Sequence, residues 1–366
     1  MKITSINLNA ISQVKQRKTS FFQPIFKSNL DEVRFSSKTP EQLVLVQEAK
    51  ELSKQAYGVL ARSKNIKEQA KMHLDNSVQI WHRAKELYGK SQEEFIEIQD
   101  AFEYAKENKT KAIADPFKNT QTIFTKNAIE VYSDNHLLKK AQKVEDKIIL
   151  FEYPKSKKVK KSVFDVKTGE LIEFSDNYKQ ISSKGAACDV RFTFANGNLV
   201  SCDYGVFENS KTRKIQKSYV YNNNQLSSFA ANLSQNKDWE QSIEQEFLFD
   251  GRELISYQKD SQIEDINRKS VKESYIFSFG EMQYLSNSTL YPRCLKTTDK
   301  MIYFKDSKVK KIIIGAYDDF SVKTAAKHFE YSQNERPSRC YLNPQSANAS
   351  EFSDEPMFYG KLIYLG

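Results

Sequence analysis

Large apolar residues recur on one heptad position near the start of the chain: Leu45, Leu52, Val59, Ile66, His73, Ile80 and Leu87. Four residues after each sits a small one, namely Ala49, Ala56, Ser63, Ala70, Ser77, Ala84 and Ser91. No proline falls between Glu41 and Asp115, and Thr39-Pro40 supplies an N-cap and a first helical position. The pattern predicts a long helical, coiled-coil-like segment over 40–115, with a seam that admits a close neighbour. After Ser91 the stripe changes phase to Phe95, Ile98, Phe102 and Ala105, which signals a bend, a helical hairpin or a stutter. Such a seam calls for a partner: a second copy of the chain, a helix of another protein, or the rest of this chain.

A second periodicity fills the C-terminal part. Taking Val166, Phe194, Tyr221, Phe249, Phe277, Phe304, Tyr331 and Tyr359 as anchors, successive spacings are 28, 27, 28, 28, 27, 27 and 28 residues. The residue two before each anchor is apolar, so each unit places two large side chains on one face of a strand. Turn formers follow, as in Asn196-Gly197, Asn223-Asn224 and Asp250-Gly251. Five residues past the anchor comes a further apolar residue in every unit except that of Arg336, and in the first six units another follows three later. That odd offset predicts a bulge in the return strand.

Each unit therefore reads as one β-hairpin, and a fixed period marks stacked supersecondary units. The fold class expected is α+β: an N-terminal long helix or helical hairpin, then an antiparallel β-hairpin repeat sheet, a curved meander of about eight units over 147–366. So many strands are expected to curl into a barrel-like or solenoidal form. Residues 1–39 read as a disordered basic tail and 116–146 as a linker with a capping strand at Ile129–Tyr132.

The strings Phe194-Ala-Asn-Gly-Asn-Leu199 and Tyr221-Asn-Asn-Asn-Gln-Leu226 resemble the hairpin units of MORN-variant proteins, which read Tyr-x-Asn-Gly-Lys-Leu. Phe247-Leu-Phe249-Asp250 is more loosely similar to YD-type repeats. The resemblance implies a hairpin array used as a scaffold or binding surface.

Composition narrows the function classes. Of 366 residues 28% are charged, and 24 Phe and 19 Tyr supply bulk for a core despite an apolar content of 39%. No run approaches the length of a transmembrane helix, and the first residues lack a continuous apolar stretch, so a cytoplasmic location is expected, with non-Sec secretion left open. Cys188, Cys202, Cys294 and Cys340 are far apart and form no CxxC, which fits reduced thiols and no metal site. The net charge of +9 invites an acidic partner, and Lys155, Lys157, Lys158, Lys160 and Lys161 gather around one turn as candidate anion- or partner-binding residues. The competing account of that cluster is an edge hairpin kept soluble by lysine.

The string Ala84-Lys-Glu-Leu-Tyr-Gly89-Lys90-Ser91 fits a permissive phosphate-loop pattern, but it lies on the heptad seam and follows no strand. No catalytic residue, cofactor or metal is expected. The chain reads as a non-enzymatic interaction or scaffold protein that binds another protein or self-associates through the helical seam. The alternatives are a nucleic-acid or anionic-lipid binder using basic hairpins and, after it, a nucleotide-binding enzyme.

Overall fold

The structure is a computed structural model that describes residues 38–108, 111–154, 158–236, 240–265, 268–279, 281–291, 295–319, 323–346 and 359–366. The expected tail over 1–39 lies outside these residues but for Lys38 and Thr39. One helix spans Pro40–Glu107, 68 residues without interruption, so the phase change after Ser91 produces no hairpin of helices. The helix ends before residue 115, because Ala112–Asp115 is already a strand.

A single antiparallel sheet of 22 strands follows. It begins earlier than the sequence suggested. The stretch 116–146 is no linker: it carries strands Thr120–Phe124, Ala128–Ser133 and His136–Val144. The 28-residue period misses them because their hairpins are shorter; apolar residues before the equivalent turns, Phe124, Val144 and Val166, stand only 20 and 22 apart. The sheet also does not close into a barrel. Ala112–Asp115 pairs only with Thr120–Phe124, and Tyr359–Tyr364 only with Pro337–Ser346, among the described residues.

The repeat units are hairpins. Asn196 and Gly197, Asn223 and Asn224, and Asp306 and Ser307 all have positive φ, the backbone that a two-residue type I′ turn needs. The bulge in the return strand is present in several units. Val220 pairs with Ser228 and Tyr221 with Leu226, leaving Ser227 as the extra residue. Equivalent shifts occur at Leu199/Ser201, Leu248/Phe249 and Tyr303/Phe304, whereas the Phe277 unit stays in register.

The helical seam meets the chain's own sheet. All seven small seam residues are buried, from Ala49 at 0% to Ser77 at 5% exposed. A transverse row of rings and aliphatics lies against them, including Phe192, Tyr219, Phe229, Phe247, Tyr275, Ile302 and Phe329. The seam is therefore occupied internally and is not a free surface for self-association, and it faces strands where a coiled coil would face a helix.

The two repeats are commensurate. Tyr331 donates its hydroxyl to the Ala49 carbonyl at 2.8 Å, and Tyr221 donates to the Ser77 carbonyl at 3.0 Å. Four hairpin units separate the tyrosines, and four heptads separate the carbonyls. A heptad rises about 10.5 Å along a helix, while two strands span roughly 9.6 Å across a sheet. Each hairpin thus meets one heptad, and a small residue stands wherever an anchor ring arrives. Chain direction is reversed between the layers: Glu41 binds Lys361 at 2.7 Å, while Phe95 packs on Phe164 with ring centroids 5.4 Å apart.

The strands also bend. Arg191 pairs with Asp203 in register and Glu208 with Ala186, five positions away, yet the Arg191 guanidinium reaches the Glu208 carboxylate at 2.9 Å. The same five-residue offset separates Arg213 from Asp203, 3.0 Å apart, and Lys269 from Glu246, 3.9 Å apart. Straight strands would hold such positions about 16 Å apart. Between them lies a line of left-handed residues: Asn177, Gly205, Asn232, Asp260, Asn287, Gly315 and Asn343, all with φ between 47° and 62°. The strands fold at this line, and their distal halves cover the face away from the helix. That explains why Ser175, Asp203, Ser218, Ser274 and Leu285, adjacent in sequence to the helix-facing row, are buried as well. Cys188, Val206, Ile215, Ile243 and Val271 on the distal halves are buried outside the main core cluster.

Candidate functional site

The reactive side chains are held in packing. Cys188, Cys202 and Cys340 are buried free thiols. Burial pushes Cys202 up to about 12 and Cys340 up to about 11, and it raises Cys188, so each stays protonated and is a poor nucleophile. Cys294 lies outside the described residues. His73 sits in a cage of rings, stacked on Phe229 at 3.6 Å and edge-on to Phe247 at 5.0 Å. Its Nδ1 has no hydrogen-bond partner, and burial lowers its pKa to about 4. His328 is likewise lowered to about 4 by burial and then by Lys311. Among the described residues no group of three or more His, Cys, Asp or Glu is placed to hold a metal ion.

The Ala84–Ser91 string is helical throughout, with Ala84 and Ser91 turned to the sheet. A regular helix offers no loop of free N–H groups to wrap a phosphate. Of the lysine cluster, Lys155 and Lys157 lie outside the described residues. Lys161 binds Glu173 at 3.0 Å and lies over the Tyr178 ring, and Lys160 lies 3.8 Å from Glu152. Lys158 is exposed. The described part of the cluster is thus largely neutralised by its own carboxylates and offers one free charge to an anion.

What the molecule presents to solvent at regular intervals is the fold line itself. Residues opposite the left-handed positions complete it, giving Asp189, Gln216, Glu244, Lys272 and Asp299 in alternation with the bends. Several pairs are joined side by side: Asn177 donates to Asp189 at 2.9 Å, Asn287 donates to Asp299 at 2.8 Å, Asn232 donates to Glu244, and Lys272 lies 3.5 Å from Asp260. Over the ten strands from Asp189 to Gly315 the line runs about 43 Å at 4.8 Å per strand. It is rich in amides and carboxylates on a chain of net charge +9. Sequence reasoning missed it, although Asn, Asp or Gly recurring at spacings of 28, 27, 28, 27, 28 and 28 was there to be read.

A second feature lies at the helix C-terminus, where the shorter hairpins break the one-heptad match. A cavity of about 730 Å³ opens between the last helical turns and the strands around Phe124, Ile148 and Val166.

No protein-family model matches the chain, and no curated protein matches it. Among solved structures, the crystal structure of Kluyvelomyces marxianus Hsv2 is aligned at 8% identity over 66% of this chain and 98% of that one, with a TM-score of 0.14. A likeness at that level carries no argument about fold or function. No helix among the described residues is long and apolar enough to cross a membrane.

Proposed function

We propose that this chain is a non-enzymatic scaffold that binds another protein through the surface of its β-hairpin repeat. The observation that supports the reading most is the fold line: an asparagine–carboxylate pair returns at Asn177/Asp189, Asn232/Glu244 and Asn287/Asp299, every fourth strand, at about 19 Å intervals. A surface with one period suits an extended partner that can make the same contact several times, so that weak contacts add. The carboxylates of Asp189, Glu244 and Asp299 favour a partner that offers lysine, arginine or amide donors. The likeness of the turn strings to MORN-variant units favours the same use. Separate buried thiols fit a reducing compartment, in keeping with a cytoplasmic location.

The nucleic-acid or anionic-lipid reading draws less support, since Lys160 and Lys161 are engaged by Glu152 and Glu173. The test is affinity capture of partners by the wild-type chain and by a triple variant, Asp189→Lys, Glu244→Lys and Asp299→Lys, all exposed positions. A protein partner lost by the variant, with unchanged circular dichroism, is the expected result. Equal capture by both chains would refute the surface. Capture of nucleic acid that falls steeply with salt would favour the alternative.

A further inference from the structure

The cavity at the helix C-terminus has two kinds of wall. Its floor is apolar: Phe95, Phe102, Phe124, Ile148 and Val166. Four lysines stand around it, Lys106, Lys111, Lys126 and Lys143, all exposed, with Glu103 the only carboxylate in the lining among the described residues. None of the four has a carboxylate within ion-pair distance among the described residues, although eighteen such pairs occur elsewhere in the structure. These lysines come from separate segments: the last helical turn, the residue before the first strand, and the ends of two hairpins. Their meeting around one apolar floor is produced by the fold and is not a run in the sequence.

We propose that this cavity binds a linear amphipathic carboxylic acid, a medium- to long-chain fatty acid, with the acyl chain on the ring floor and the carboxylate among the lysines. The volume lies within the range that encloses small organic ligands. A flexible apolar chain suits the floor; of the neutral polar residues in the lining, Thr125 is bonded through its hydroxyl to the Ala128 backbone and Gln99 is exposed. An anionic head suits the rim, because four cations with one acid between them attract negative charge. The N-terminal stretch 1–37 is a poor occupant, since it carries six Lys and Arg against two acidic residues and would bring like charge to the rim. This inference stands apart from the scaffold reading, as the cavity shares no residue with the fold line.

The test is isothermal titration of the full chain with decanoate, dodecanoate and tetradecanoate below their micellar concentrations, with 1-dodecanol as the neutral control. One-to-one saturable binding is expected, tightening about fourfold per added methylene until the cavity is filled. Dodecanol should bind about tenfold more weakly or worse, as should dodecanoate to a Lys126→Glu, Lys143→Glu variant. Ala105→Trp, which fills the cavity from the helix side, should abolish binding. Absence of saturable binding would overturn the proposal, and so would equal affinity for dodecanol. Binding confined to anionic phosphatidylglycerol vesicles would also overturn it, since that would mark a surface effect. If Ala105→Trp fails to fold by circular dichroism, the exposed lysine pair decides the matter: unchanged dodecanoate affinity in that variant refutes the site.

Discussion

The phenol of Tyr331 bonds to the backbone carbonyl of Ala49, across a sequence separation of 282 residues, because residue 49 carries only a methyl group and lets the ring approach. A helix carbonyl that accepts an extra bond satisfies a hydroxyl otherwise stranded in the core. Burial raises the Tyr331 pKa well above that of a free phenol. Tyr331→Phe should lower stability by about 0.5–1.5 kcal/mol. Ala49→Leu should cost about 1–3 kcal/mol by forcing helix and sheet apart. Urea denaturation of both variants checks the pair, and the second change should be the larger.

The match of one heptad to one hairpin predicts paired excision. Deleting residues 222–249 shortens the sheet by one unit, and deleting 71–77 shortens the helix by one heptad. The double deletion should retain a cooperative unfolding transition, whereas either deletion alone shifts every anchor beyond it against the wrong helix residue and should broaden or abolish the transition. Far-UV circular dichroism with thermal melting distinguishes the three.

His73 occupies a large-residue position of the seam and lacks a partner for Nδ1. Its folded pKa is about 4 against an ordinary value of 6.5. Between those values the unfolded state binds the proton and the folded state does not, so stability falls as pH drops below 6.5 and levels off below about 4. His328 contributes in the same sense. His73→Leu should therefore raise stability at pH 5 more than at pH 7.5 and remove roughly half of this pH dependence, leaving the part due to His328. Midpoints of urea denaturation at the two pH values decide it; an equal gain at both would contradict the assignment.

Asp203 is 1% exposed and binds both Arg213 at 3.0 Å and Ser218 at 2.6 Å, so it ties a distal half-strand to the face it covers. Asp203→Ala leaves Ser218 without that acceptor, while the half-exposed Arg213 can return to water. A loss of about 1.5–3 kcal/mol is expected by denaturant titration.

At the bends, left-handed backbone selects the residue. Asn287 has φ 47°, and Asn287→Val should cost about 1–2 kcal/mol. Asn287→Gly relieves the same strain and loses only an exposed bond to Asp299, so it should stay within about 0.5 kcal/mol of wild type. A large loss in the glycine variant would show that the amide, not the backbone, matters there.

The sequence announced both halves of the packing problem but not their relation. Heptad spacing located the small residues from Ala49 to Ser91, and hairpin spacing located the large anchors from Val166 to Tyr359, because burial imposes strict periods on each. Their one-to-one register was not visible, since it depends on comparing a helical rise with a strand spacing across separations of hundreds of residues. The hairpins of Phe124 and Val144 escaped because they lack distal halves and so fall short of the repeat length. Asn177, Gly205 and Asn232 did not stand out, as a single Asn or Gly inside a strand pattern says little until its recurrence is counted. The cavity, whose lysines come from four segments, had no local signature at all.

The reversed direction of helix and sheet sets the timing of synthesis. Gln92 meets Gly169 after 77 residues, but Gln42 waits 322 residues for the carbonyl of Tyr364. At about 5–20 residues per second the ribosome takes some tens of seconds to deliver that last strand. The helix must therefore be zipped from its C-terminal end, one hairpin at a time, with the first-made turns the last to find shelter.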